Sequence, residues 1–105
     1  MSRPLGTTTI EILAALRNKV RYGLDIIEHT GLTAGTVYTT LRRLEQRRLV
    51  EGRWEDAGVA EAERRPRRRY YTLTPRGVAA LEEGAERLTR VTRGIRRAAS
   101  GSSGR

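Results

Sequence analysis

The sequence predicts a mainly α chain with a small β-wing, a winged helix-turn-helix in the order α-α-α-β-β-α. Three observations carry that expectation. A segment at 33–47 sets Val37, Leu41 and Leu44 on one helical face. Its opposite face holds Thr36, Thr39, Thr40, Arg42 and Arg43, with Tyr38 at the edge. Two short stretches, 49–54 and 69–73, favour extended structure and bracket a polar, arginine-rich insert. The charge is also lopsided. Residues 1–63 hold nine basic and nine acidic residues, whereas 64–105 hold twelve arginines and three glutamates, the whole net charge of +9.

The first helix is expected over about 8–18, since Ile10, Leu13, Ala14 and Leu16 share a face. Thr8 and Glu11 have the spacing of a capping box, each side chain taking one free backbone N–H. Tyr22-Gly23 opens a short second helix, 24–29, with Leu24 and Ile27 facing inward and Gly31 as its stop. Thr33 is the expected N-cap of the third helix, whose core face extends to Leu32 and Leu49. Three threonines on its polar face are costly for a helix that only needs to be soluble. Short hydroxyls and arginine forks suit close approach to phosphates and base edges.

In the first strand, Val50 and the inward-facing Trp54 lie opposite Leu49, Glu51 and Arg53. Trp54 reads as packing in the core or a dimer cleft, or as the stacking residue of an effector site between subunits. The insert 55–68 runs from acidic to RRPRRR and reads as a long, mobile wing tip. Pro66 excludes a regular central strand there. Thr74 caps the last helix and Pro75 takes its first position. That helix is expected to end near Ala98. Leu81, Ala85, Leu88, Thr92, Ile95 and Ala99 form a narrow heptad seam that needs a partner surface. Glu83–Arg87 and Glu86–Arg90 are favourable pairs at i, i+4. The expected organisation is a winged domain at 1–76, a dimerisation helix at 77–99 and a flexible tail at 100–105.

A localised basic field points to a polyanionic partner, here double-stranded DNA. The plainer source of the charge is an arginine-rich composition, for Lys19 is the only lysine. The chain has no cysteine, so disulfide and thiolate chemistry are excluded. One histidine, His29, makes a zinc site unexpected, and no glycine-rich phosphate loop occurs. No cofactor and no enzymatic activity are expected. No apolar run reaches membrane-spanning length and MSRPLGTTT lacks a secretory core, so the expected location is cytoplasmic. Two other functions stay open: a winged-helix protein-interaction module with an acidic partner, and a nonspecific basic DNA-binding protein.

The run LTAGTVYTTLRRLEQRRLVEGRWE, with RRRYYTLTPRG after it and Tyr22-Gly23-Leu24 before it, resembles the PadR family of bacterial transcriptional regulators. The likeness covers about residues 8–81. It resembles the shorter subgroup, whose members dimerise through the first and last helices. The resemblance implies a homodimeric repressor on an inverted-repeat operator, with a possible small-molecule effector. Residue by residue, the resemblance implies DNA binding by Thr33, Gly35, Thr36, Tyr38, Arg42 and Arg43 on the third helix and by Arg68, Arg69 and Tyr70 on the wing. Tyr22, Thr39 and Arg67 are expected beside them as further DNA-binding residues, at the start of the second helix, on the polar face of the third and on the basic arm. Ile10, Leu13, Leu81, Ala85, Leu88, Thr92 and Ile95 are the implied dimerisation residues. The sequence departs from the family where Thr39 replaces a common proline and Arg48 a common glycine. The drug-stacking tryptophans of some short members are missing, for the last helix has no aromatic residue.

Overall fold

The computed structural model describes residues 4–103. Its elements are α1 (Thr7–Arg17), α2 (Gly23–Thr30), α3 (Ala34–Gln46), β1 (Val50–Trp54), α4 (Ala57–Ala62), β2 (Arg69–Leu73) and α5 (Pro75–Ser103). β1 and β2 form one antiparallel hairpin, in register from Val50 opposite Leu73 to Trp54 opposite Arg69. The segment before α2 adds to its edge: Tyr22 bridges Tyr70, and the Tyr71 N–H donates to the Arg21 carbonyl at 2.8 Å.

The core lies where α1, α2 and α3 meet the hairpin and the start of α5. Ile12, Leu13, Ile26, Val37, Leu41, Leu44 and Val50 are fully enclosed. The expected inner face of α3 is therefore correct. Thr33 caps α3 by accepting from the Thr36 N–H at 3.3 Å, and Gly31 ends α2 in the left-handed conformation.

Several details differ from the sequence expectation. α1 starts one residue early, with Gly6 as N-cap and no side-chain cap, so the Thr8–Glu11 capping box does not form. Leu5 fixes that start by packing against the core, beside Ile10 at Gly84 of α5. On α2, Leu24 is 63% exposed and Ile26 is the enclosed residue, with Ile27 half-buried. Gly23 explains the rotation: the Tyr38 ring lies so close that a Cβ there would meet it at 2.4 Å. The insert is no featureless tip, since Asp56 caps the short helix α4 by accepting from the Gly58 N–H at 2.7 Å. α5 continues to Ser103, past the boundary expected at 99, and residues 104–105 lie outside the described residues. Glu86–Arg90 forms at 3.0 Å, but Arg87 donates to the Leu5 carbonyl rather than pairing with Glu83.

Three helices stop in the same way. After α1, α3 and α4, the residues Lys19, Arg48 and Arg64 take positive φ of 65°, 59° and 53°. The next N–H reaches back to the helix: Val20 to Ala15, Leu49 to Leu44 and Arg65 to Ala60. These are Schellman ends, normally built on glycine. A side chain in that conformation costs roughly 1–2 kcal/mol.

The joint between α3 and α5 is tight. Thr74 Oγ1 accepts from the Gly77 N–H at 3.0 Å and donates to the Arg48 carbonyl at 2.7 Å. The Thr74 N–H donates to the Leu49 carbonyl at 3.1 Å. A Cβ on Gly77 would stand 1.9 Å from that carbonyl oxygen, so only glycine fits. The expected cap on α5 is thus present, and it also clasps the end of α3.

Candidate nucleic-acid interface

Thr33, Gly35, Thr36, Thr39, Arg42 and Arg43 are all exposed along α3. The Thr33 hydroxyl donates to Thr36 Oγ1 at 2.9 Å, so these two side chains are tied to each other. The guanidiniums of Arg42 and Arg43 have no hydrogen-bond or ion-pair partner among the described residues. Nothing lies within 4 Å of a Cβ built on Gly35. Packing within the chain therefore gives no reason for a glycine there, although glycine in a helix costs up to about 1 kcal/mol.

The wing stands beside this face with Arg67, Arg68 and Arg69 already engaged. Arg67 Nε donates to the Glu55 carbonyl at 2.9 Å. Arg68 lies 4.1 Å over the Tyr22 ring, itself edge-on to Tyr70 at 5.7 Å. Arg69 crosses Gly52 and donates to Glu45 Oε2 of α3 at 2.8 Å. That hydrogen bond raises the Arg69 pKa. Glu45 thereby links α3 to the wing, a role its place in the sequence did not signal.

Trp54 is 58% exposed, not inward-facing. Burial along β1 ends after Val50, so Trp54 stands at the strand's exposed end, and the guanidiniums of Arg67 and Arg69 lie 5.8 and 5.4 Å from its ring centre. Tyr22, Leu24, Tyr38, Trp54, Tyr71 and the side chains of residues 65–69 line a crevice of about 310 Å³ between α2, α3 and the wing. No residue of α5 lines it. The structure thus brings the expected residues Tyr22, Tyr38, Trp54 and Arg67–Arg69 together, with Gly23 and Leu24 as additions.

Of the expected dimerisation residues, Leu13 is 0% exposed and Ile10 is wedged onto Gly84, so both serve the chain's own core. The helical spacing could not separate a core face from a partner face. Leu81 is also buried. Beyond it, Ala85 and Thr92 are exposed, Leu88 is half-buried and Ile95 is 65% exposed. Val91 joins this outer stripe as an exposed apolar residue that the heptad reading passed over. Among the described residues no cluster of acids and histidine could hold a metal, and no helix is long and apolar enough to cross a membrane.

Comparison with solved structures gives the same architecture. A PadR family transcription regulator from Clostridium difficile matches with a TM-score of 0.74 and 26% identity, over 88% of this chain and 97% of that one. BpsR of Bordetella bronchiseptica, whose DNA binding is regulated by 6-hydroxynicotinic acid, matches with a TM-score of 0.69 and 28% identity. That match covers 87% of this chain but only 64% of BpsR. The PcaV regulator of Streptomyces coelicolor shares the fold at a TM-score of 0.74 and 21% identity, over 90% of this chain and 62% of PcaV. No curated protein matches the sequence. The family description "Transcriptional regulator PadR-like family" matches residues 12–83, which include the helix-turn-helix, the wing and the clasp at Thr74 and Gly77. With its polar α3 face and arginine wing built on that frame, the chain is a DNA-binding member of the PadR-like family of transcriptional regulators.

Proposed function

We propose that the chain is a homodimeric repressor that binds an inverted-repeat operator through α3 and flanks it with the wing. The observation that carries the reading is the pairing of a partnerless Arg42–Arg43 edge with an exposed glycine, Gly35, that nothing inside the chain requires. That combination suits a helix pressed against a phosphate backbone. The half-buried Leu88 and the exposed Val91 and Ile95 on outer α5 support a second copy as the partner of that stripe. Two copies of α3 would then enter major grooves about one turn, roughly 34 Å, apart. The test is light scattering on the purified chain, then selection of bound duplexes from a random pool. A dimer that enriches an inverted repeat is the expected result. A monomer, or a pool that stays random, overturns the reading.

The same reading places an effector in the crevice beside Trp54, where a small planar acid would meet aromatic walls and arginines. The regulation of BpsR by 6-hydroxynicotinic acid supports this choice of ligand. A ligand there would occupy the space between recognition helix and wing and so displace DNA. Trp54 is the only tryptophan, so its fluorescence reports directly on binding. Saturable quenching by 6-hydroxynicotinic acid, with matching loss of DNA, is expected. Quenching that does not saturate discards the site.

A further inference from the structure

Glu55 is a buried acid in the middle of a basic arm, and each of its polar atoms is engaged with the segment 65–70. Oε1 accepts from Arg65 Nη1 at 2.6 Å and from the Arg68 N–H at 3.2 Å. Oε2 accepts from Arg65 Nη2 at 2.8 Å and from the Tyr70 hydroxyl at 3.1 Å. Its own N–H donates to the Arg68 carbonyl at 2.8 Å, and its carbonyl accepts from Arg67 Nε at 2.9 Å. A two-stranded hairpin has little core of its own and is marginal in isolation. Here one carboxylate supplies what apolar packing does not: a bidentate pair with Arg65 and a fixed path for the backbone of Arg68. Arg65 is committed to this inward role, since it also binds Glu63 at 2.9 Å.

We propose that Glu55 is a positioning residue for DNA binding: its carboxylate fixes Arg65 and the backbone of Arg68, and so sets the path of the strand from which Arg67 and Arg68 reach the duplex. The inference rests on reading the wing as a DNA contact. It has a consequence opposite to simple electrostatics. Removing a negative charge from a DNA-binding face should tighten binding, because less charge repels the phosphates. Removing the Glu55 carboxylate should weaken it, because Arg65 would lose its partner and the backbone of Arg68 its fixed path, in a stretch where five arginines between residues 64 and 69 repel one another.

The test uses the full chain and a fluorescent duplex of mixed sequence, titrated at several salt concentrations. Four variants accompany the wild type: Glu55→Ala, Glu55→Gln, the charge control Glu61→Gln, and Arg67→Ala with Arg68→Ala. Glu61 is exposed on α4, and its carboxylate has no hydrogen-bond or ion-pair partner among the described residues. The expected result is a roughly tenfold loss for Glu55→Ala, about the worth of one charge-assisted hydrogen bond. Glu55→Gln keeps an acceptor and should recover part of that loss. Glu61→Gln should bind as well as wild type or better. The salt slope should flatten for Glu55→Ala and stay unchanged for Glu61→Gln, which a general loss of stability would not produce. Circular dichroism checks folding, and if Glu55→Ala does not fold, Glu55→Gln decides. Glu55 variants that bind as tightly as Glu61→Gln, while the double arginine variant binds weakly, overturn the positioning role alone. An arginine variant that binds normally overturns the wing reading beneath it.

Discussion

The two parts of the interface are prepared for binding in opposite ways. On α3, Arg42 and Arg43 extend from a rigid helix with no partner, so the scaffold is fixed and the tips are loose. On the wing, the scaffold is a two-stranded arm, and the arginines are held by Glu55, Tyr22 and Glu45. Free guanidiniums can search for base edges but lose rotamer freedom when they bind. Held guanidiniums avoid that loss and are restricted in what they can reach. Under the proposed function, this contrast would give discrimination to α3 and sequence-independent affinity to the wing.

The strongest way to break that division is to replace Arg67, Arg68 and Arg69 together with alanine. Binding to every duplex should fall, and the log–log salt slope should flatten by roughly 0.9 per arginine that meets a phosphate. Anisotropy titrations on specific and mixed sequences measure both. A selective loss on the operator alone would assign discrimination to the wing. Next in size, Arg42→Ala should cost about 1–3 kcal/mol against its matching base pair and leave the melting temperature unchanged. A uniform loss across sequences would make Arg42 a phosphate contact.

Smaller effects sharpen the contrast through stability. Arg48→Gly should stabilise the chain by about 1 kcal/mol, since glycine relieves the left-handed strain after α3. Thermal melts followed at the helical band decide this. The wing responds to acid. Arg65, through its hydrogen bond, holds the Glu55 pKa down from 4.5 to about 2, with help from the Arg68 N–H and Tyr70, against the cost of burial. Because the folded pKa is depressed, this contribution is fully present above about pH 4.5 and is lost as pH falls towards 2. Trp54 fluorescence should hold steady from neutral pH down to that window and change within it. A transition near pH 6 would point to a different group.

Local chemistry made much of this molecule legible. Thr33, Thr74 and Gly31 act on their own helix ends, so their neighbours in sequence determine their role. The inner face of α3 was readable because thirteen residues give its period enough turns. The eight residues of α2 do not: Leu24, Ile26 and Ile27 leave its rotation open until Tyr38 settles on Gly23. Trp54 was misread because strand alternation gives a side but not where the core ends. Glu55 was hidden for another reason. A charge in a polar insert looks solvated unless its partner is known, and Arg65 lies ten residues away among five similar arginines.

The clasp among Arg48, Leu49, Thr74 and Gly77 makes the long last helix a handle on α3. With no slack at the elbow, a turn of one becomes a turn of the other. α3 is about 20 Å long, so a rotation of about 10° sweeps its far end by roughly 3.4 Å, the rise of one base step. In the dimer proposed above, whatever sets the angle between two such handles would set the spacing of the sites that the pair can read.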